Sequence, residues 1–178
     1  MLIKFFFEIK NFDEKVVIIS FNFFKTQIIV LKILFHEKMM KQKFLELKVD
    51  TSGQKLIDIS NNIENFVQDS KIINGIINLS ILHTSASLII QENASKDVLI
   101  DLGDFFNNLV PMNEKLYLHT LEGKDDMPAH IKTALTNTNL SLSVIENTLR
   151  MGTWQGIYLF EHRIQRHVRS VFCHIIGE

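Results

Sequence analysis

The chain has 178 residues and a mass of 20.7 kDa, which fits one domain or one domain with an appendage. Hydrophobic residues make up 46% and charged residues 22%, with a net charge of −1 and a pI near 6.7, so a basic footprint for nucleic acid is excluded at whole-chain level. A single cysteine rules out an internal disulfide and any Cys-x-x-Cys metal site, and no run of 18 uncharged apolar residues reads as a membrane span.

Residues 1–38 hold eight of the fourteen phenylalanines and neither glycine nor proline. Residues 16–35 are the most apolar stretch, but Lys25 and Lys32 oppose a membrane helix. A central lysine costs about 2.5–3.5 kcal/mol on insertion. The charges before the stretch cancel and no small-residue cleavage site follows, against a signal peptide. Neither a period of 2 nor one of 3.6 is sustained there. Residues 1–38 are therefore expected to lie outside the functional domain, which spans 39–178. Translation is expected to start at Met39 or Met40, and the intact mass of the native protein checks that.

From Lys41 the pattern is orderly. Phe44, Leu45, Leu47 and Val49 among charged neighbours predict a strand. Thr51-Ser52-Gly53 reads as a turn and a helix cap, and Ile59, Ile63, Phe66 and Val67 fall at helical spacing. Asn74-Gly75 signals a turn. Strands are predicted over Ile76–Leu82 and Ala86–Gln91. A helix over Ala94–Leu109 stacks Val98, Leu102, Phe105 and Leu109 on one face. A short strand is predicted at Lys115–His119. Pro128 suits the first turn of a helix running to Leu135, with Asp126 near its N-cap. Leu140–Ile145 reads as a strand, and Trp154–Glu161 and His167–Ile176 as two strands joined in a hairpin around Arg163-Ile164-Gln165. Trp154 is expected in the core, and Cys173 as a buried, inert thiol. The fold class is α+β, a mostly antiparallel sheet with two or three packed helices in a single compact domain.

Polar residues gather at strand ends. His83, His119 and His130 invite a metal reading, because neutral imidazole suits zinc and three protein ligands leave a position open. Glu92 or Asp126 would add oxygen. His119 and His130 are eleven apart, which is not helical ligand spacing, and hydrogen-bonded loop histidines are the plainer alternative. Thr84 and Ser85 sit in a polar turn that could hold phosphate. Arg169 could clamp phosphate oxygens, with Arg163 and Arg166 as further candidates; pairing with Glu161 is the competing use. Asp125-Asp126 could hold magnesium through water, although adjacent carboxylates usually point apart.

The blocks His83-Thr84-Ser85-Ala86-Ser87-Leu88, Glu92-Asn93, His119, Asp125-Asp126-Met127-Pro128-Ala129-His130-Ile131-Lys132, Gly152-Thr153-Trp154-Gln155 and Glu161-His162-Arg163 occur in order. Together they resemble the secondary thiamine-phosphate synthase family from about Met40 to Glu178. Asn147 stands where that family commonly has glycine, and Asn tolerates a left-handed turn. The resemblance implies an enzyme that joins a hydroxymethylpyrimidine pyrophosphate to a thiazole phosphate and releases pyrophosphate, as a minor activity. It also implies a cytoplasmic homotrimer with a phosphorylated small-molecule substrate and no nucleic-acid or membrane partner. Its implied catalytic residues are Ser85, Glu92, Asp126 and Arg169. Thr84, Asn93 and Arg166 would bind substrate, and His83, His119 and His130 a divalent metal, Mg or Zn. The alternatives are a metal-dependent hydrolase of a phosphate-containing molecule and a non-catalytic small-molecule-binding trimer.

Overall fold

Two antiparallel sheets share one core in the unit Met40–Glu178. The computed structural model describes residues 15–19, 31–35 and 39–178. The chain divides into two compact units, Met1–Met39 and Met40–Glu178. In the first, β1 (Lys15–Ile19) pairs antiparallel with β2 (Leu31–Phe35), although no strand period stands out there. The rest of the expectation for residues 1–38 lies outside the described residues.

In the second unit, β3 (Lys41–Thr51), β10 (His167–Gly177), β5 (Gly75–Ile81), β7 (Asn139–Ile145) and β8 (Thr148–Leu149) form a five-stranded sheet in that order. β4 (Lys55–Asp58), β9 (Gln155–Glu161) and β6 (Ala86–Glu92) form a three-stranded one. All pairings are antiparallel. The alternation read from the sequence selects the faces: Leu45, Leu47 and Val49 turn inward while Phe44 turns out and stacks on His174. Ile77, Leu79, Val171, Cys173 and Ile175 of the larger sheet meet Leu88, Ile157 and Leu159 of the smaller in one cluster. Helix α1 (Ser60–Ser70) adds Ile63 and Val67. With α2 (Lys96–Leu109) and α3 (Asp126–Leu135), this is an α+β domain with three helices.

Several local expectations are corrected. β9 and β10 do not form a hairpin; residues 162–166 carry the chain from the smaller sheet to the larger. Residues 52–54 and 82–85 are also crossings between the sheets, so the turn at Gly53 leads into β4 and not into a helix. Lys115–His119 is not a strand: Asn113 Oδ1 accepts the Lys115 N–H and opens a 3₁₀ turn over Glu114–Leu116. On α2, Phe105 and Leu109 are exposed, and Phe106 packs edge-on against Phe160 instead. Trp154 is 66% exposed and is not a core residue. Gly75 begins β5, where a Cβ would come within 2.2 Å of the Ile176 carbonyl oxygen, so close strand approach demands the glycine. Asn147 does take the left-handed conformation, φ 59°. Cys173 is buried, and its thiol is pushed up to about 12 by burial.

Candidate metal centre

The three crossings converge on one corner and are tied there by side chains. Glu161, the last residue of β9, is fully buried with all four carboxylate acceptor positions used. Oε2 accepts Thr51 Oγ1 at 2.6 Å and Arg169 Nε at 2.7 Å. Oε1 accepts Arg169 Nη2 at 2.6 Å and the Arg163 N–H at 2.9 Å. Burial pushes this carboxyl up, but the hydrogen bonds from Arg169, Thr51 and Arg163 outweigh it and hold it below the usual range. Gln54 Nε2 reaches the His162 carbonyl at 2.6 Å, and Arg169 Nη2 also reaches the Ser85 carbonyl at 3.3 Å.

Arg163 leaves this corner for the start of α3. Its Nε donates to Asp125 Oδ2 at 3.0 Å, its Nη1 to Asp126 Oδ1, and its Nη2 to the Glu122 carbonyl at 2.8 Å. The two adjacent carboxylates thus grip one guanidinium, contrary to the expectation that they point apart. Asp125 is the N-cap residue, not Asp126, and its side chain makes no cap. It instead accepts the Ile164 N–H at 2.8 Å. Burial raises the Asp125 carboxyl, and the bonds from Ile164 and Arg163 more than reverse that.

Asp126 is only 2% exposed, yet its second oxygen faces histidine. His119 Nε2 lies 2.7 Å from Asp126 Oδ2, and His130 Nε2 lies 3.6 Å from Asp126 Oδ1. One ligand atom from each of the three residues fits within 4.8 Å of the others. Asp126 and His130 are i and i+4 on α3, so one helix face presents both. His130 Nδ1 donates to the Thr84 carbonyl at 2.9 Å. That bond leaves the proton on Nδ1 and the lone pair on Nε2, the arrangement found behind metal-bound histidines. Tetrahedral ligands about 2.0–2.2 Å from an ion stand roughly 3.3–3.6 Å apart. The His119–Asp126 separation of 2.7 Å lies below that range and the His130–Asp126 separation of 3.6 Å at its upper end.

The other expected site residues lie elsewhere or are occupied. His83 is outside this trio; its Nε2 accepts the Ser170 N–H at 2.8 Å, and its pKa is lowered, first by burial and then by Arg169. Thr84 and Ser85 contribute backbone carbonyls, to His130 and Arg169 respectively. Arg169 is committed to Glu161, and Arg166 makes an exposed pair with Asp50 at 3.0 Å. Glu92 lines a separate cavity with Trp154 and Gln155, and Asn93 is bonded to the backbone of Trp154 and Gln155. The histidines have no helical spacing among themselves; the i, i+4 pair is Asp126 with His130. The double grip on Arg163 and the closed shell of Glu161 have no signature in spacing.

Fold and site together define a small α+β protein whose strand crossings support a two-histidine, one-carboxylate cluster at a helix start. Residues 45–178 match the family model described as UPF0047 protein YjbQ-like. UPF0047 protein sll1880 of Synechocystis is 47% identical over 132 residues, covering 74% of this chain and 90% of that one. YjbQ of Escherichia coli O157:H7 is 40% identical over 141 residues, covering 79% and 100%. A Sulfolobus solfataricus P2 structure, described as YbjQ-like and of unknown function, superposes with TM-score 0.73 at 27% identity, covering 79% of this chain and all of that one. The chain belongs to the YjbQ/UPF0047 family. That membership overturns the resemblance to thiamine-phosphate synthases: these relatives carry no such description, and the transferase reaction and the thiamine pathway drawn from it are withdrawn. Among the described residues no helix is long and apolar enough to cross a membrane.

Proposed function

We propose that the protein binds a divalent transition metal through His119 Nε2, His130 Nε2 and the Asp126 carboxylate, leaving an outward coordination position for water or a substrate oxygen. The observation that carries this is the convergence of the three ligand atoms, with His130 already oriented by Thr84. Two imidazoles and one carboxylate suit zinc or a similar transition ion better than magnesium, which prefers all-oxygen shells. Arg163 holds Asp126 and offsets its charge, so that carboxylate would stay in place and the exposed His119 would supply the third ligand. To coordinate, His119 Nε2 would exchange its hydrogen bond to Asp126 for the ion, with the proton of the neutral ring on Nδ1. Bound metal would act as a Lewis acid on the ligand in the open position.

Chelator-stripped protein titrated with Zn²⁺ and Co²⁺ tests this by calorimetry and visible absorption. One equivalent per chain is expected, with a cobalt band typical of four or five coordination. His119→Ala and His130→Ala should each abolish stoichiometric binding. Sub-stoichiometric uptake by the parent protein, or unchanged uptake by both variants, overturns the proposal.

The same reading includes self-association as a homotrimer in the cytoplasm. Leu118 and Leu121, beside the site, are essentially fully exposed, and apolar surface of that kind favours a partner. Light scattering of the purified protein tests the trimer, and a monomer at micromolar concentration overturns it. Cell fractionation tests the location, and recovery outside the cytoplasmic fraction overturns that part.

A further inference from the structure

A second cavity, of about 470 Å³, opens between α2, β4 and the end of β9. Its walls are apolar, with Leu56, Leu99 and Phe160 on them and Ile100 at the exposed rim. Its inner end is not. Lys132 lines it while only 2% exposed, and among the described residues its Nζ has one partner, the neutral Asn107 Oδ1 at 2.5 Å. Among the described residues no carboxylate forms an ion pair with Lys132. A buried ammonium without a counter-charge is costly, and a bound anion would relieve that cost.

His162 lines the same cavity and is 1% exposed. Its Nε2 is 2.9 Å from Ser87 Oγ, whereas Nδ1 is the buried side-chain polar atom without a hydrogen-bond partner among the described residues. Neutral imidazole with Ser87 donating to Nε2 carries its proton on Nδ1. A buried donor left without an acceptor costs about 1–3 kcal/mol. One cavity thus holds an ammonium whose acceptor is a neutral amide and a buried imidazole nitrogen without a partner among the described residues. The remaining charges agree with an anion. Lys55 and Lys96 also line it, Glu161 is neutralised by Arg169, and Asp104 is exposed.

We infer that this cavity binds a small organic anion, a monocarboxylate with an apolar body, whose oxygens meet Lys132 Nζ and His162 Nδ1 while the body lies on Leu56, Leu99 and Phe160. Charge selects the head and the walls select the tail. The cavity does not use the His119–Asp126–His130 ligands, so it is independent of the metal proposal.

The test is calorimetric or NMR titration of the full chain at fixed pH 7, stripped of metal, with hexanoate, hexanamide and acetate. Hexanoate should saturate at one per chain, with hexanamide and acetate each at least about tenfold weaker. Lys132→Met keeps the buried stem and should erase the preference for hexanoate over hexanamide. Ile100→Trp fills the rim and should weaken hexanoate even if Lys132→Met fails to fold. His130→Ala should leave binding unchanged, which separates this cavity from the metal ligands. Equal affinity for acid and amide, no saturation up to about 10 mM, or hexanoate binding unaltered in Ile100→Trp overturns the inference.

Discussion

Glu161 and Asp126 are both buried carboxylates facing arginine, and they differ in what is left over. Glu161 is closed: Thr51, Arg163 and Arg169 fill its four acceptor positions. Asp126 gives one oxygen to Arg163 and turns the other toward His119 at the surface. A saturated carboxylate can only hold the fold together. An unsaturated one beside two imidazoles keeps a lone pair for a ligand. The crossing at residues 162–166 links the two, since Arg163, two residues after Glu161, reaches Asp126 with its side chain while its N–H closes Glu161.

The sharpest way to break this contrast is at Glu161. Glu161→Ala strands the buried Arg169 guanidinium and should cost about 3–5 kcal/mol, read by urea denaturation. A loss near zero would mean that the closed shell is not structural. Acid should produce the next largest effect. Burial depresses His162 from 6.5 to about 3, so the unfolded chain binds its proton first. The stability from this group is complete above pH 6.5 and falls by about 1.4 kcal/mol per pH unit below it. His83, shifted the same way, adds to this, and the lowered Glu161 carboxyl adds a further loss below about 4.5. In His162→Gln the slope between pH 6.5 and 4.5 should flatten. An unchanged slope would show that the imidazole is protonated in the fold.

The strands and helices were legible because their apolar positions repeat at 2 or 3.6, as in Leu45-Leu47-Val49 and Ile59-Ile63-Phe66-Val67. The crossings were not. A hairpin and a step between sheets share the same local signal at residues 162–166, and only the burial of Glu161 against Thr51 and Arg169 decides between them. Likewise Asp126 and His130 were visible as candidates, while the exclusion of His83 depends on the Ser170 amide, a backbone group 87 residues away. Lys132 carries no burial signal of its own, since nothing in its neighbours along the chain shows that it will line a cavity with α2 and β9.

Two smaller effects sharpen the open side of the comparison. His130→Ala should cost the fold no more than about 1 kcal/mol, the value of one hydrogen bond to Thr84, while removing metal binding. A loss as large as that of Glu161→Ala would make His130 a structural residue. Arg166 supplies the baseline. It pairs with Asp50 at 3.0 Å, but the two side chains are 75% and 68% exposed. Water screens such a pair and the long side chain must be ordered to make it, so the net gain is small. Arg166→Ala should therefore change unfolding free energy by at most about half a kcal/mol, and salt should not alter the difference measurably. A loss above about 1 kcal/mol would show that Arg166 leaves Asp50 in solution for a buried partner at the same corner as Arg163 and Arg169, and the division between closed and open carboxylates would have to be redrawn around a third guanidinium.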